Sequence, residues 1–253
     1  MALRRKKNKV EAMVAGDKIA YGLLKSFLLP VLTLLFRPKV SGLRFVPATG
    51  PVIIASNHLS FSDSIFMPLV IPRKVTFLAK SEYFTSPGLK GLAKKLTFIA
   101  LGQVSVDRAG GSRSEAALLT GLSVLAEGGC RGIYPEGPRS PDGRLYRGRT
   151  GIARLAMESG APIVPVAMFH TAEIQPTGKV IPKIMRVKMV FGEPMYFPTP
   201  DKSNDPEELR KATDSLMKKL QELSGQEYVD IYASQAKEAL DEQRRRERKE
   251  NQE

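Results

Sequence analysis

Short apolar runs rich in β-branched residues alternate with longer segments of helical periodicity along most of the chain. Five runs predict buried strands: "PVIIAS" at 51–56, "VTFLAK" at 75–80, "GCRGIYP" at 129–135, "PIVPVAM" at 162–168 and "MRVKMVFG" at 185–192. A further strand is predicted to end within "GQVSVDRAGG" at 102–111. The segments between these runs predict helices at about 62–70, 84–96, 112–127 and 150–159. This alternation is typical of an α/β fold.

The pattern changes at both ends of the chain, so we predict three parts. Residues 1–38 form a basic leader and an apolar helical segment, 39–224 form the α/β domain, and 225–253 form a charged helical or disordered tail. Within the domain, "PMYFPTPDKSN" at 194–204 predicts an irregular linker because it holds three prolines. A helix then follows, with Leu209, Leu216 and Leu220 on one face.

The amino-terminal part combines a basic cluster at residues 4–9 with an uncharged, leucine-rich run at 26–36. A helix needs about 20 apolar residues to cross a bilayer, and this run is much shorter. We therefore predict an interfacial or half-inserted helix whose basic leader meets anionic lipid head groups. A core helix preceded by a disordered leader is the alternative that the sequence leaves open.

Composition narrows the range of partners. The chain of 253 residues carries a formal net charge of +13, which favours phosphorylated substrates, acidic lipids or nucleic acid. Tryptophan is absent, and neither zinc-finger spacing nor an RNA-binding signature is present, so we predict no nucleic-acid partner. The single cysteine, Cys130, excludes an intrachain disulfide and fits a reducing compartment.

The stretch "NHLSFSD" at 57–63 follows a predicted buried strand and precedes a predicted helix. His58 and Asp63 are five positions apart, about 140° around a regular helix, so they meet only if His58 lies in the turn before the helix. A carboxylate on Nδ1 would leave Nε2 of the imidazole to accept a proton, as a general base does. The alternative is that Asp63 caps the helix and His58 is an ordinary turn residue.

Charged residues follow three other predicted strands. They are Lys80, Arg108 and the pair Glu136 with Arg139. Guanidinium groups bind phosphate and carboxylate groups through two parallel hydrogen bonds, so such loops can bind an anionic ligand. These side chains converge with His58 if the sheet brings the carboxyl ends of its strands to one side. Taken alone, the loop at 132–151 is equally compatible with an ordinary solvated loop.

Four ordered blocks give the chain a resemblance to the glycerolipid acyltransferases, most closely to the 1-acyl-sn-glycerol-3-phosphate acyltransferases. "NHLSFSD" resembles the N-H-x-x-x-x-D signature of that family, "VDRAG" its second block, "YPEGPRS" its F-P-E-G-T-R-S block and "IVPVAM" its fourth block. Two positions depart from the pattern, since Tyr134 replaces the usual phenylalanine and Pro138 the usual threonine.

The resemblance implies a single mixed sheet flanked by helices and a direct acyl transfer. His58 is the implied general base and Asp63 its partner. The implied reaction takes an acyl group from acyl-CoA or acyl-carrier protein to the free hydroxyl of lysophosphatidic acid and forms phosphatidic acid. Because the chain has no G-x-S-x-G motif and Cys130 lies in a predicted buried strand, we expect no acyl-enzyme intermediate.

The resemblance also assigns binding of the acceptor phosphate, and the shaping of that site, to five residues: Lys80, Arg108, Glu136, Gly137 and Arg139. We expect Glu136 to hold Arg139 or Arg108 in place rather than to touch phosphate. The second histidine, His170, follows the fourth block and is predicted to be a turn residue at a strand end. No cluster of residues has metal-ligand spacing, so we predict neither a metal nor a cofactor.

An acceptor with one acyl chain resides in a bilayer, so we expect peripheral or monotopic attachment to the cytoplasmic face of the cell membrane. Glycerol 3-phosphate or a glycolipid hydroxyl remains an alternative acceptor. A thioester hydrolase and a non-catalytic, basic membrane-binding protein are alternatives from other classes. An intact His58 and Asp63, with Glu136 and Arg139, argue against the loss of catalysis.

Overall fold

The computed structural model describes residues 21–22, 25–79, 88, 102–105, 113–179, 181–197 and 200–250. The strands within these residues are β1 (Lys39–Ser41), β2 (Val52–Ser56), β3 (Val75–Ala79), β4 (Gln103–Ser105), β5 (Cys130–Ile133), β6 (Leu145–Tyr146), β7 (Ile163–Phe169), β8 (Lys188–Phe191) and β9 (Tyr228–Val229). The α-helices are α1 (25–36), α2 (Asp63–Val70), α3 (Arg113–Ala126), α4 (Gly151–Ser159), α5 (Thr171–Ile174), α6 (Pro206–Ser224) and α7 (Ala233–Glu250).

A mixed sheet forms the centre of the described structure. Its strand order is β1, β8, β7, β2, β5, β3 and β4, and neighbouring strands are parallel except for β7 and β8. The predicted α/β fold is therefore confirmed. The predicted helix at 84–96 lies outside the described residues apart from Gly88.

Helices cover the sheet on both sides. This explains why the sequence of β2 is a continuous apolar run. Every residue of β2 is buried, because Ile54 points into the layer beneath α1 and α2 while Ile53 points into the layer beneath α3, α4 and α6. A strand between two parallel neighbours, with helices on both faces, has no solvent side and needs no polar alternation.

The segment between β8 and α6 is more regular than its prolines suggested. Met195 and Ile163 exchange two backbone hydrogen bonds of 2.9 and 2.7 Å, which continue the antiparallel pairing of β8 with β7. The residues after α6 also contact the domain, since β9 pairs with β6, and Ala233 and Ala236 at the start of α7 are buried against Tyr146.

Helix α1 packs on the sheet through its end, where Phe36 is buried beside Phe66 of α2. The Lys25 ammonium group donates hydrogen bonds to the carbonyl oxygens of Pro68, at 2.9 Å, and of Ile71, just beyond α2. The basic leader at 1–20 lies outside the described residues. Among the residues that the structure does describe, no helix is long and apolar enough to cross a membrane.

Candidate active site

The candidate site lies at the carboxyl ends of β2 and β5, two parallel neighbours in the sheet. His58 follows β2 by two residues, and Asp63 is the first residue of α2. Tyr134 and Glu136 follow β5 directly. Because parallel strands end at the same edge, residues about 75 positions apart in sequence meet around one imidazole ring.

His58 and Asp63 are in direct contact. Nδ1 of His58 lies 2.9 Å from Oδ2 of Asp63, and the same oxygen accepts the backbone N–H groups of Leu59 and Ser60 at 2.8 Å each. The turn is therefore folded around the carboxylate. A proton on Nδ1 can be donated to Oδ2 of Asp63, which leaves Nε2 as the acceptor.

The contacts of Asp63 differ from those of a helix cap, the alternative interpretation of the motif. Its carboxylate is fully buried, and its hydrogen bonds go to residues that precede α2, whereas a helix cap would accept N–H groups from within the helix. The side chain of His58 keeps 14% of its surface exposed, so the ring is largely buried but still reaches solvent. This arrangement is compatible with a general base.

Tyr134 fixes the plane of the imidazole ring. The two rings stack with centroids 3.8 Å apart and planes 7° from parallel. The Tyr134 hydroxyl is 2.8 Å from Oγ of Ser64, and Phe77 stacks on the other side at 5.3 Å. Burial, reinforced by the Asp63 charge, raises the pKa of Tyr134 well above its usual value, so the phenol stays neutral. Gly132 makes this packing possible, since a Cβ there would lie 2.4 Å from the Phe77 ring.

Glu136 supports the backbone on which His58 sits. One carboxylate oxygen accepts the N–H of His58 at 3.2 Å, and the other accepts the N–H of Tyr146 at 2.8 Å. The N–H of Ser140 donates in turn to the carbonyl of His58 at 2.7 Å. Glu136 is fully buried, and burial raises its pKa to about 7 although both backbone donors lower it.

This geometry corrects one of the two expected partners of Glu136, Arg139; the other, Arg108, lies outside the described residues. Within the described residues its carboxylate binds backbone N–H groups rather than the guanidinium group of Arg139, whose side chain is exposed. The physical reason is that the turn of residues 134–137 directs Glu136 inward and leaves Arg139 facing solvent. Both carboxylate oxygens of Glu136 are therefore engaged by backbone groups.

The remaining predicted binding residues are placed only in part. Gly137 has a φ of 88°, and a Cβ at this position would lie 3.1 Å from Nε of Arg149, so the turn favours glycine. Arg139 is exposed on the same loop. Lys80 and Arg108 lie outside the described residues.

Asn57 is a structural residue of the site that the sequence analysis missed. Its amide bonds both the carbonyl and the N–H of Met168 on β7, at 3.1 and 2.8 Å, and the side chain of Gln226 at 2.7 Å. Asn57 thus continues the pairing of β2 with β7 just before His58. The sequence did offer one signal for this role, since Asn57 is a polar residue directly after a buried strand.

Cys130 and His170 lie where the sequence predicted, in a buried strand and in a turn at a strand end. Cys130 is buried, and burial raises the pKa of its thiol to about 12, so it does not form a reactive thiolate. His170 is exposed in the turn after β7, with a φ of 65°.

Comparison with known proteins identifies the group to which the chain belongs. The sequence profile described as Acyltransferase matches residues 37–169, more than half of the chain. The chain belongs to the Acyltransferase family. The matched segment of this family member includes His58, Asp63 and Glu136 and runs from just before β1 to the end of β7.

Several curated relatives of this Acyltransferase family member are named for the same activity. The chloroplastic 1-acyl-sn-glycerol-3-phosphate acyltransferase BAT2 of Brassica napus is 29% identical over 163 residues, which are 64% of this chain and 46% of the relative. LPAT1 of Arabidopsis thaliana is 30% identical over 144 residues, 56% of this chain and 39% of the relative. The Bacillus subtilis 1-acyl-sn-glycerol-3-phosphate acyltransferase is 28% identical over 187 residues, 73% of this chain and 87% of the relative.

The match thus spans less than half the length of the two plant relatives and most of the bacterial one. A solved structure shares the fold. It is the 1-acyl-sn-glycerophosphate acyltransferase PlsC from Thermotoga maritima, with a TM-score of 0.57, 24% identity, and coverage of 79% of this chain and 80% of that one.

Proposed function

We propose that this protein transfers a fatty acyl group from acyl-CoA or acyl-carrier protein to the free hydroxyl of lysophosphatidic acid, forming phosphatidic acid. The observation that carries the proposal is the hydrogen bond of 2.9 Å between Nδ1 of His58 and the fully buried Asp63. Family membership and the activity named for the relatives support acyl transfer to a lysophospholipid.

The proposed mechanism uses His58 to move one proton twice. Nε2 accepts the proton of the acceptor hydroxyl as its oxygen attacks the thioester carbonyl carbon. The tetrahedral intermediate then collapses, the carbon–sulfur bond breaks, and Nε2 returns the proton to the departing thiolate. Asp63 stabilises the positive charge that the imidazole carries between these steps. The ester forms without an enzyme-bound acyl group.

The proposed role of Tyr134 and Glu136 is to hold the base. The stacked Tyr134 ring prevents the imidazole from turning away from Asp63, and Glu136 fixes the backbone N–H of His58. An imidazole that loses its orientation loses most of its effectiveness as a base, because the reacting atoms must be aligned before the proton moves.

The acceptor phosphate is proposed to bind to cations at the same edge of the sheet. Arg139 is exposed on the loop that Glu136 anchors, and Gly137 allows that loop to turn. The resemblance of its block to that of the family assigns Arg108 to the same phosphate, and Lys80, at the end of a predicted strand, is proposed as an additional phosphate contact. Guanidinium groups suit this task because they bind phosphate oxygens in pairs.

We further propose that the protein acts at the cytoplasmic face of the cell membrane as a peripheral or monotopic protein. The formal charge of +13 and the basic cluster at 4–9 support attraction to anionic lipids. Because this attraction is screened by salt, raising the ionic strength should weaken binding to vesicles that contain anionic lipid.

The test is acyl transfer by the purified full-length chain, with product lipids separated and identified. Radiolabelled acyl-CoA is supplied with lysophosphatidic acid, and labelled phosphatidic acid is the expected product. Parallel reactions contain glycerol 3-phosphate, a glycolipid acceptor, an acyl-carrier-protein donor, or a chelator, which should have no effect because the proposed steps use no metal. Labelled free fatty acid without an acceptor would indicate a thioester hydrolase instead.

A further inference from the structure

The segment that connects α5 to β8, residues 176–187, of which 176–179 and 181–187 are described, exposes large apolar side chains. Ile181 is 84% exposed, Ile184 62% and Met185 37%. Scattered exposed apolar residues are ordinary on protein surfaces, but three within five positions form a local patch. We call this segment the 176–187 loop.

Basic side chains alternate with the apolar ones along the same loop. Lys179, Lys183 and Arg186 are all exposed. An apolar patch surrounded by cations matches the boundary of an anionic bilayer, where apolar groups enter the acyl region and the cations meet lipid phosphates. An apolar surface on a soluble protein could pack against the isoleucines, but it would offer no negative groups to the three basic side chains.

The loop is held in a defined position. The N–H of Lys183 donates to the carbonyl of Ile174 at 2.7 Å, and the N–H of Lys179 donates to the carbonyl of Pro176 at 3.0 Å. At its far end the N–H of Val187 donates to the carbonyl of Phe36, the last residue of α1, at 3.2 Å. The exposed side chains are therefore presented by an anchored backbone.

These hydrogen bonds place the loop next to a second apolar surface. The outer face of α1 exposes Phe27, Val31 and Leu34, and α1 ends at Phe36, where the loop is attached. The two surfaces meet at the edge of the sheet where β8 begins. This is also the edge at which β2 and β7 end, because β8 is antiparallel to β7.

The loop is also connected to the turn that carries His58. The hydroxyl group of Ser60 donates to the carbonyl of Gln175, the residue just before the loop, at 2.7 Å. Ser60 is itself bound through its N–H to Asp63. The candidate base and the apolar loop thus share one hydrogen-bonded network, so a surface that receives the loop also lies beside His58.

We propose that the 176–187 loop is a second membrane-docking element, which inserts Ile181, Ile184 and Met185 into an anionic bilayer beside α1. Docking on two elements, rather than on the amino-terminal segment alone, fixes the orientation of the sheet edge on the membrane. The opening at His58 then faces the lipid surface, from which a single-chain acceptor can enter. Only this last step depends on the proposed function.

The first test measures binding to sedimented vesicles of phosphatidylcholine with and without phosphatidylglycerol. The full-length Ile181→Ser/Ile184→Ser variant is compared with Leu119→Ser, because Leu119 is 60% exposed on α3, across the sheet from α1. We expect the double variant to lose affinity about 100-fold, roughly tenfold for each isoleucine, while the control binds as the wild type does.

Three results would overturn the proposal. They are a wild-type protein that does not bind anionic vesicles, a double variant that binds as well as the wild type, and equal losses in the double variant and the control. Thermal unfolding of each variant tests whether the fold is retained. Both isoleucines are exposed, so we expect midpoints close to that of the wild type.

A second test detects insertion directly and does not depend on the affinity of any variant. The chain contains no tryptophan, so Ile184→Trp and Leu119→Trp each introduce a single fluorescent reporter. With anionic vesicles we expect the emission at position 184 to shift to shorter wavelength and to be quenched by lipids with brominated acyl chains. Emission at position 119 should not change. Unquenched emission at position 184 would contradict insertion.

The final measurement separates this proposal from the proposed function. Turnover is compared for long-chain lysophosphatidic acid in vesicles and for a short-chain, dissolved analogue. The Ile181→Ser/Ile184→Ser variant should lose activity on the vesicles and keep it on the dissolved acceptor. Loss on both would show that the loop acts on the chemistry rather than on docking. A wild-type protein that inserts but transfers no acyl group would leave docking intact and refute the function.

Discussion

The chain has two histidines, and they occupy equivalent places at the ends of neighbouring parallel strands. His58 follows β2, and His170 follows β7, which is paired with β2. His58 is bound to a buried carboxylate and stacked on a tyrosine. His170 is exposed, with left-handed backbone and no side-chain capping bond to α5. A position at a strand end therefore does not make a general base; the partners around the ring do.

The largest effect is expected from removing each imidazole in turn. His58→Ala should lower acyl transfer to lysophosphatidic acid by about 10² to 10⁴-fold, because no group remains to accept the hydroxyl proton. His170→Ala should stay close to the wild-type rate. The measurement is labelled phosphatidic acid formed per unit time by each full-length variant. Equal losses in the two variants would remove the distinction between the histidines.

Asp63→Asn tests the carboxylate alone. The amide can still accept the N–H groups of Leu59 and Ser60, but it no longer favours the tautomer with a proton on Nδ1 or the charged imidazole. We expect a loss of about 10²-fold or more in kcat with the fold retained. Because the two residues act as one unit, the His58→Ala/Asp63→Asn double variant should be hardly worse than His58→Ala. Multiplicative losses would mean that the residues act separately.

Tyr134 is a ring partner of a kind that His170 does not have among the described residues, and two substitutions separate its functions. Tyr134→Ala removes the stack and leaves a cavity beside Phe77, so we expect unfolding to become easier by about 3 kcal/mol and kcat to fall. Tyr134→Phe keeps the stack and loses only the hydrogen bond to Ser64, at a cost of about 1 kcal/mol with near-normal turnover. Denaturant unfolding and initial rates measure both. A Tyr134→Phe variant as slow as Tyr134→Ala would assign the role to the hydroxyl group.

The last expected effect is in the pH dependence of stability, to which Glu136 contributes through its titration. Burial raises the pKa of Glu136 to about 7 from an unfolded value of 4.5, so between these values the folded protein binds more protons than the unfolded chain. The stability that the protonated Glu136 contributes to the fold is fully present below pH 4.5 and is lost as the pH rises through 7.

The quantity to compare is the unfolding free energy of the wild type minus that of Glu136→Gln, because the amide of the variant does not titrate. We expect the difference in unfolding free energy to fall by up to about 3 kcal/mol between pH 5 and pH 8. Denaturant titrations at a series of pH values measure it. A difference that is constant with pH would show that Glu136 is ionised throughout, as its two backbone donors favour.

Much of the fold could be predicted from local patterns. The buried strands β2 and β7 were evident because they lie between helices on both faces and consist almost entirely of apolar residues. The pairing of Met195 with Ile163 was not evident, since prolines on either side of Met195 suggested an irregular linker. Pairing of this kind depends on the neighbouring strand rather than on local propensity.

The candidate site was predictable only where its residues are close in sequence. The five-residue spacing of His58 and Asp63 allowed one specific contact, and the structure shows it. The partner of Glu136 could not be obtained in the same way. Its bond to the N–H of His58 joins residues 78 positions apart, and charge alone suggested an arginine.

The sequence by itself determined the alternation of strands and helices and the turn that joins His58 to Asp63, because helical periodicity and short spacings are local properties. Only the tertiary structure decided that β5 lies beside β2, which brings Tyr134 and Glu136 onto the imidazole. It also decided that the 176–187 loop lies beside the same edge. Strand order is set by long-range packing of apolar faces, and no local pattern records which strands become neighbours.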